Sequence, residues 1–453
     1  MTLAVVILAA GQGTRMRSSK PKVLHQLAGK PLLQHVIDTA SFLNPDEFVV
    51  VIGHGADQVR ETIEADNLSW AIQEQQLGTG HAVQMAMPHL SADKVLILYG
   101  DVPLISQSTL EKVIEEVVPG KLNLLTINLD DPDGYGRIVR NADNQVQQIV
   151  EQKDADATIL QITEGNTGIL CATREDLSRF LSDLKDDNAQ GEYYLTDCIE
   201  RCIDDGGTVK GLLAKQITEV AGVNNKIQLN ELERSYQLEQ AEKLMEQGVT
   251  FADKTRFDVR GSLTVGKDTF IDFNCLFVGD VVLGSGVEIG PNCVISNCTI
   301  GDNTVILPNS VLDRAEIGSG CSIGPFARLR PEAVIKDNAK IGNFVEVKKS
   351  EVGEGSKVNH LSYVGDTKIG TGSNIGAGTI TCNYDGVNKH RTSIGDDVFV
   401  GSNTALVAPI VIEKGATIGA GSTITRDAPS ETLNLGRAKQ ITVETWKRPK
   451  KRT

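Results

Sequence analysis

Apolar positions fall into two unlike patterns along the chain. Over the first 227 residues, continuous aliphatic runs (Leu3 to Leu8, Phe48 to Ile52, Val95 to Tyr99) each end at a glycine or a polar turn. Between them, Leu32 to Phe42, Gln58 to Glu64 and Thr79 to Met87 carry apolar residues at helical spacing. Such alternation predicts a Rossmann-like α/β domain, a mostly parallel sheet covered by helices. Ligands of such sheets sit at the carboxyl ends of the strands, so the loops after Leu8, Ile52 and Tyr99 are the ones to search. Residues 228–247 read as one long polar helix with Leu229, Leu232, Tyr236 and Leu244 on a narrow stripe and Gly248 as its stop, suited to a strut between domains.

From about Val265 the apolar spacing changes to six. Aliphatic residues recur at Ile289, Ile295, Ile300, Ile306, Leu312, Ile317, Ile323 and so on to Ile375, and again from Ile394 to Ile424, many followed directly by glycine. Neither a helix nor a simple strand has this period. A hexapeptide repeat does, three hexads making one triangular coil of a left-handed parallel β-helix at ~18 residues per coil, roughly nine coils in all. The interruption at 381–393 must leave the coil as a loop, and loops on rigid scaffolds commonly carry function. The expected divisions are 1–227, a linker helix at 228–250, and 251–453 for the β-helix with its tail.

Composition narrows the function classes. The 453 residues include 44 Gly but only 11 Phe, 7 Tyr and 2 Trp, so the cores must be built from small branched aliphatics. A net charge of −14 repels a phosphate backbone, which disfavours nucleic-acid binding. The basic run at Lys447, Arg448, Lys450, Lys451 and Arg452 is the exception, and such runs are ordinarily solvated ends. Eight cysteines without a CxxC pair predict reduced, buried thiols and a cytoplasmic protein. No apolar run is long enough for a membrane span, and Leu3 to Ala10 lacks the preceding positive charge of a secretion signal.

Three places carry candidate chemistry. The loop Leu8-Ala-Ala-Gly11-Gln-Gly13-Thr14-Arg15-Met16 with Pro21-Lys22 has Met16 where a dinucleotide fingerprint needs its third glycine, and it lacks the Gly-Lys-Ser/Thr of a P-loop. Its glycines let backbone amides approach an anion that Arg15 and Lys22 would neutralise; a plain turn fits the local sequence equally. Asp101, at the end of a strand, is either a hard oxygen ligand or a turn-capping residue. His360 lies two positions past the aliphatic slot Val358, with Arg330, Lys348, Asn374, Asn383, Tyr384 and Lys389 in the surrounding repeats; the ordinary reading is a surface imidazole at a coil corner. A zinc site of three histidines is a poor reading there, since only His360 and His390 follow residue 262. His54 and His81 are read as structural.

The segment Gly11-x-Gly13-Thr14-Arg15-Met16-x4-Pro21-Lys22 resembles the nucleotide-sugar pyrophosphorylases. Further matches follow in order: Gln73 and Gln76-Leu77-Gly78-Thr79-Gly80-His81, the base-reading loop; Tyr99-Gly100-Asp101-Val102-Pro103; Gly134-Tyr135-Gly136-Arg137, Glu151 and Asn166-Thr167-Gly168, the sugar-binding segments; and Gly222-Val223-Asn224-Asn225. The resemblance implies Mg²⁺ on Asp101 and Asn224, and a nucleotide and sugar phosphate against Leu8, Gly11, Arg15, Lys22, Gln73, Gln76, Gly78, Thr79, Gly136, Glu151, Asn166 and Asn224.

Together with Gly324-Pro-Phe-Ala-Arg-Leu-Arg330-Pro, His360 and Ile375-Gly-Ala-Gly-Thr-Ile-Thr-Cys-Asn-Tyr-Asp-Gly386, the whole chain is similar to the bacterial bifunctional N-acetylglucosamine-1-phosphate uridylyltransferase and glucosamine-1-phosphate N-acetyltransferase family. That similarity implies His360 as general base on the sugar amine, a role worth ~10²–10⁴-fold. It implies Arg330, Lys348 and Lys389 on the sugar phosphate, Tyr363 and Asn374 orienting the transfer, and Asn383 and Tyr384 lining the site. Ala377, Ser402, Ala420 and Arg437 would contact acetyl-CoA, with Arg437 partly closing over it. UTP and acetyl-CoA are the implied co-substrates and a homotrimer the implied assembly, with UDP-N-acetylglucosamine and pyrophosphate as products for cell-envelope synthesis. Two alternatives stay open on sequence: a monofunctional nucleotidyltransferase with a structural β-helix, and a thymidylyl or adenylyl enzyme.

Overall fold

The computed structural model describes residues 1–65, 67–449 and 451; Lys450 and Arg452 of the basic run lie outside the described residues. The chain divides into two compact units, 1–236 and 237–453.

The first unit is built on strands β1 (Leu3–Ala9), β2 (Glu47–Ile52), β3 (Ser69–Ile72), β4 (Lys94–Tyr99), β5 (Lys121–Asn128), β6 (Arg137–Arg140), β7 (Val146–Val150), β8 (Glu164–Thr173) and β9 (Thr208–Leu213). Their order is β9-β5-β8-β4-β1-β2-β3, with β6 paired to β8 and to β7. β1 runs parallel between β2 and β4, whereas β8 is antiparallel to β4 and β5, so the sheet is mixed where sequence suggested a mainly parallel one. The unbroken apolar run of β1 follows from burial on both faces. Val5 and Ile7 pack on one side with Val36 and Ile37 of the helix Leu32–Ser41, and Val6 and Leu8 pack on the other with Val83 and Leu177.

The long helix spans Lys226–Glu246, and Gly248, at φ +100°, follows its end. Leu232 is buried with Met16, Leu27 and Val223, and Leu229 and Tyr236 pack against them. Further along, the amide of Gln237 is buried and exchanges two hydrogen bonds of 2.8 Å with the backbone of Val259.

The second unit is a left-handed parallel β-helix. Stacked strands keep one column of aliphatic residues in register: Ile289, Ile306, Ile323, Ile341, Val358, Ile375, Val400 and Ile418, all buried. Each contributes about 1.5–3 kcal/mol by leaving water. The repeat is 17 positions in much of the body, as from Val358 to Ile375, and 18 elsewhere, as from Val400 to Ile418. From Ile375 to Val400 the step is 25, and the extra residues form the loop that interrupts the hexads.

One corner of the solenoid places Asn309, Phe326, Phe344, Leu361, Gly378, Asn403 and Gly421 in the left-handed region, φ +51° to +74°. Asn and Gly suit that conformation; Phe and Leu do not, at a cost of about 1–2 kcal/mol each. Phe326, Phe344 and Leu361 are exposed, and the two phenyl rings stack with centroids 5.3 Å apart. Among the described residues no helix is long and apolar enough to cross a membrane.

Candidate active sites

At the carboxyl ends of β1, β3 and β4 lies a cleft of about 220 Å³; the loop after Ile52 at the end of β2, one of the three expected from sequence, is not among its lining. The cleft is lined by Leu8, Gly11, Lys22, Gln73, Gln76, Gly78, Thr79 and Asp101, joined by Ala9, Ala10, Val23, Ala82, Tyr99 and Glu192. Two glycines shape its rim. Gly13 takes φ +62°, and a Cβ there would stand 2.7 Å from Lys22 Cβ, so the turn closes onto the lysine. Gly78 takes φ +112°, and its Cβ would stand 2.5 Å from the carbonyl oxygen of Tyr193. Tyr193 N–H donates to Leu77 O at 2.8 Å and Gly80 N–H to Tyr193 O at 2.8 Å, so this segment braces the loop Gln76–Gly80. Sequence reasoning missed Glu192 and Tyr193, which carry no motif of their own.

Four charged or amide groups converge at the floor. Lys22 Nζ pairs with the Asp101 carboxylate and donates to Asn224 Oδ1 at 3.3 Å, and Arg15 Nη2 donates to the same oxygen at 2.9 Å. Val223 N–H donates to Asp101 O at 2.9 Å, which ties the two loops together. Asp101 and Asn224 thus share one cation, an ammonium, between two hard oxygen donors. Among the described residues no group of three or more His, Cys, Asp or Glu forms a metal cage.

Gln73 is buried, and its Nε2 donates to Gly78 O at 3.0 Å and meets His81 Nδ1 at 3.1 Å. With both amide hydrogens engaged, its Oε1 remains as an acceptor. His81, expected to be structural, therefore helps hold a residue that lines the cleft.

Gly136, Glu151 and Asn166 come together beside this floor. Asn166 N–H donates to Gly136 O at 2.8 Å, and a Cβ on Gly136 would stand 3.2 Å from Glu151 Oε1. Burial pushes the Glu151 carboxyl above its ordinary range, aided by Asp154 and Asp197 and opposed by a hydrogen bond from Thr196. The phenol of Tyr99 is raised by burial and then by the charges of Glu151 and Asp101, placing it near both groups.

On the solenoid, Arg330, Lys348, Tyr363, Asn383 and Lys389 gather along the face carrying the strands Glu346–Lys348 and Tyr363–Gly365. Arg330 Nη1 donates to Glu346 Oε1 at 2.7 Å. A Cβ on Gly365 would stand 2.5 Å from Tyr363 Oη and 2.8 Å from Asn383 Nδ2, so these polar groups meet over it. The Lys348 ammonium is held below its ordinary range, first by the adjoining Lys389 and further by Arg330. Three cations crowded together make a site that an anion relieves. Asn383 and Lys389 arrive on the inserted loop, where Asn383 Nδ2 donates to Asp366 Oδ2 at 2.6 Å. The loop folds on Asp385, which accepts from the backbone of Val387 and Asn388 and pairs with His390 at 2.6 Å.

His360 ends the strand Lys357–His360 on the neighbouring face, one residue before the corner at Leu361, with Nδ1 2.7 Å from Asn343 Oδ1. Asn374 opens the strand on the next coil and pairs in register with Lys357. Beyond His360 a backbone ladder climbs the same corner: Gly378 N–H to His360 O, Asn403 N–H to Ala377 O, and Gly421 N–H to Ser402 O. Arg437 Nη1 then donates to Ala420 O at 2.7 Å. The four residues expected at acetyl-CoA therefore rise in line from His360. Tyr384 points its hydroxyl back onto Gly386 O at 2.6 Å, within the loop.

Residues 5–190 match the MobA-like NTP transferase domain, and residues 263–297, 297–331, 314–349 and 391–426 match the bacterial transferase hexapeptide (six repeats). The chain is 57% identical over 450 residues to the bifunctional protein GlmU of Marinobacter nauticus, covering 99% of each. It is 55% identical over 452 residues to that of Stutzerimonas stutzeri, covering 100% of each. For Cupriavidus pinatubonensis the identity is 53% over 449 residues, covering 99% of each. Among solved structures, a UDP-glucose pyrophosphorylase complexed with UDP-glucose is 16% identical, with a TM-score of 0.43, over 52% of this chain and 98% of its own.

Proposed function

Because the chain belongs to the bifunctional GlmU family, we propose that the cleft of its first unit carries its uridylyl transfer and the cationic face of its solenoid carries its N-acetyl transfer. Relatives this similar along the full length support both activities. They remove the reading of a merely structural β-helix.

In the uridylyl half, a sugar 1-phosphate oxygen attacks the α-phosphorus of UTP and pyrophosphate leaves. Arg15 and Lys22 neutralise charge on the phosphates, where fixed cations count for most. The Oε1 of Gln73 receives the N3–H of the uracil, and Leu8, Gly11, Gln76, Gly78 and Thr79 enclose the nucleotide. Gly136, Glu151 and Asn166 hold the sugar. The family is consistent with a divalent metal; we assign it as Mg²⁺ held by Asp101 and Asn224. Those oxygens already converge on the Lys22 ammonium, which fits a hard cation that keeps waters and phosphate oxygens as its other ligands. When bound, the metal supplies charge neutralisation on the transferring and leaving oxygens.

In the acetyl half, the amine nitrogen of glucosamine 1-phosphate attacks the thioester carbonyl. Its proton passes to His360, and the CoA thiolate leaves. Arg330, Lys348 and Lys389 bind the sugar phosphate, Tyr363 and Asn374 orient the acceptor, and Asn383 and Tyr384 line the site. Ala377, Ser402, Ala420 and Arg437 contact acetyl-CoA; their ladder from His360 is the observation that carries this half. The assembly is a homotrimer packed through the exposed corner line of Phe326, Phe344 and Leu361, whose left-handed strain such an interface explains.

The test is mass-spectrometric product analysis with glucosamine 1-phosphate, acetyl-CoA, UTP and Mg²⁺. His360→Ala is expected to lose acetylation and keep uridylylation of N-acetylglucosamine 1-phosphate; Asp101→Ala is expected to do the reverse. An acetylating His360→Ala variant defeats the assignment of the second site.

A further inference from the structure

We propose that Asn343 is the positioning residue that decides which nitrogen of His360 carries the proton. The inference rests on the reading of His360 as general base. Asn343 ends the strand Lys340–Asn343 and is the register partner of His360 on the preceding coil. Its Oδ1 lies 2.7 Å from His360 Nδ1, and its backbone oxygen accepts from Leu361 N–H at 3.0 Å. The residue is thus anchored to the turn that immediately follows His360.

A carbonyl oxygen can only accept, so this contact places the imidazole hydrogen on Nδ1 and leaves the lone pair on Nε2. That matters because a free imidazole side chain prefers its hydrogen on Nε2, which would present a donor to the amine rather than a base. The acceptor is also neutral. A carboxylate there would stabilise the imidazolium, whereas an amide selects the tautomer without adding a negative charge beside the ring. Phe344, next in sequence, takes the left-handed conformation that turns the chain at this corner and fixes where the Asn343 side chain departs.

The experiment combines ¹⁵N-histidine NMR of the full chain with acetyl-transfer kinetics. The parent protein is expected to show His360, assigned by the signal lost in His360→Ala, with its hydrogen on Nδ1. Asn343→Ala is expected to move the hydrogen to Nε2 and to lower acetyl-transfer kcat about tenfold with little change in KM. Uridylyl transfer and Tm should stay at parent values. Asn343→Asp restores the Nδ1–H tautomer and most of the kcat, but shifts the acid limb of the pH profile to higher pH, because it sets an anion beside the ring. A hydrogen on Nε2 in the parent, or an Asn343→Ala variant with parental kcat and pH profile, overturns the proposal. Acetyl transfer surviving in His360→Ala overturns the general-base reading and the positioning role with it. Loss in His360→Ala beside an unaffected Asn343→Ala overturns the positioning role alone.

Discussion

Gly78 shows how one residue can hold a whole loop. Its φ of +112° and the 2.5 Å from a would-be Cβ to Tyr193 O leave no room for a side chain. Gly78→Ala is expected to lower uridylyl kcat/KM by about tenfold or more, since strain of about 1–2 kcal/mol falls on the loop proposed to read the base. Parallel assays of acetyl transfer should be unaffected; equal loss of both would point to general unfolding. Asp197 gives a prediction in pH. Burial pushes its carboxyl up to about 6, with Glu200 adding to the effect and Arg201 opposing it. Because the folded value lies above the ordinary 3.8, the folded chain holds this proton more tightly than the unfolded chain. Its stabilising contribution is therefore present at low pH and lost as pH rises through about 6. Asp197→Asn cannot ionise, so its Tm relative to the parent should climb between pH 4 and pH 7; a difference that stays flat across that range refutes the assignment. Motif glycines and charged residues at strand ends were legible in the sequence because their spacing is local. Glu192, which lines the cleft, and Tyr193, which braces the Gly78 loop, were not, because they arrive from more than 100 positions beyond Gly78 only once β8 has been laid antiparallel into the sheet.

At the level of elements, the inserted loop is separable from the coil that bears it. The step from Ile375 to Val400 is 25 positions where the preceding step is 17, so the loop adds eight residues to an otherwise regular turn. Removing residues 384–391 is expected to leave a folded solenoid, with Tm within a few degrees of the parent, and no acetyl transfer, since Tyr384 and Lys389 go with it. A deletion variant that unfolds would show instead that the loop is part of the scaffold. Hexads announced the solenoid because every inward slot repeats, and the continuous runs announced β1, β2 and β4 because both faces are buried. The 17-residue coil was less visible, because one slot in three is five residues from its neighbour, as from Ile295 to Ile300 and from Leu312 to Ile317. At the second of these steps the strands Val311–Asp313 and Ala315–Ile317 are joined through Arg314 alone, in the left-handed region at φ +48°. Gln237 was equally hidden, since a buried amide on a polar helix reads as one more exposed residue until its two bonds to Val259 are seen.

Across the whole molecule, the chain divides into two compact units and the proposed sites lie one in each, so damage to one site is expected to leave the other assay untouched. The proposed homotrimer is where the two are expected to differ. Phe344→Glu puts a charge into the proposed packing line; light scattering is expected to report monomers, with acetyl transfer lost and uridylyl transfer kept. A trimer that persists in Phe344→Glu removes this corner from the interface. The solenoid also has a consequence for how such chains diversify. Each coil bonds to the coils directly before and after it, and the strand register carries over from one to the next without reference to the ends. An in-frame gene duplication of 17 or 18 codons therefore adds a complete storey whose inward column already matches its neighbours. The lineage can lengthen or shorten this half of the protein by whole storeys, while the corner bearing His360 is inherited intact.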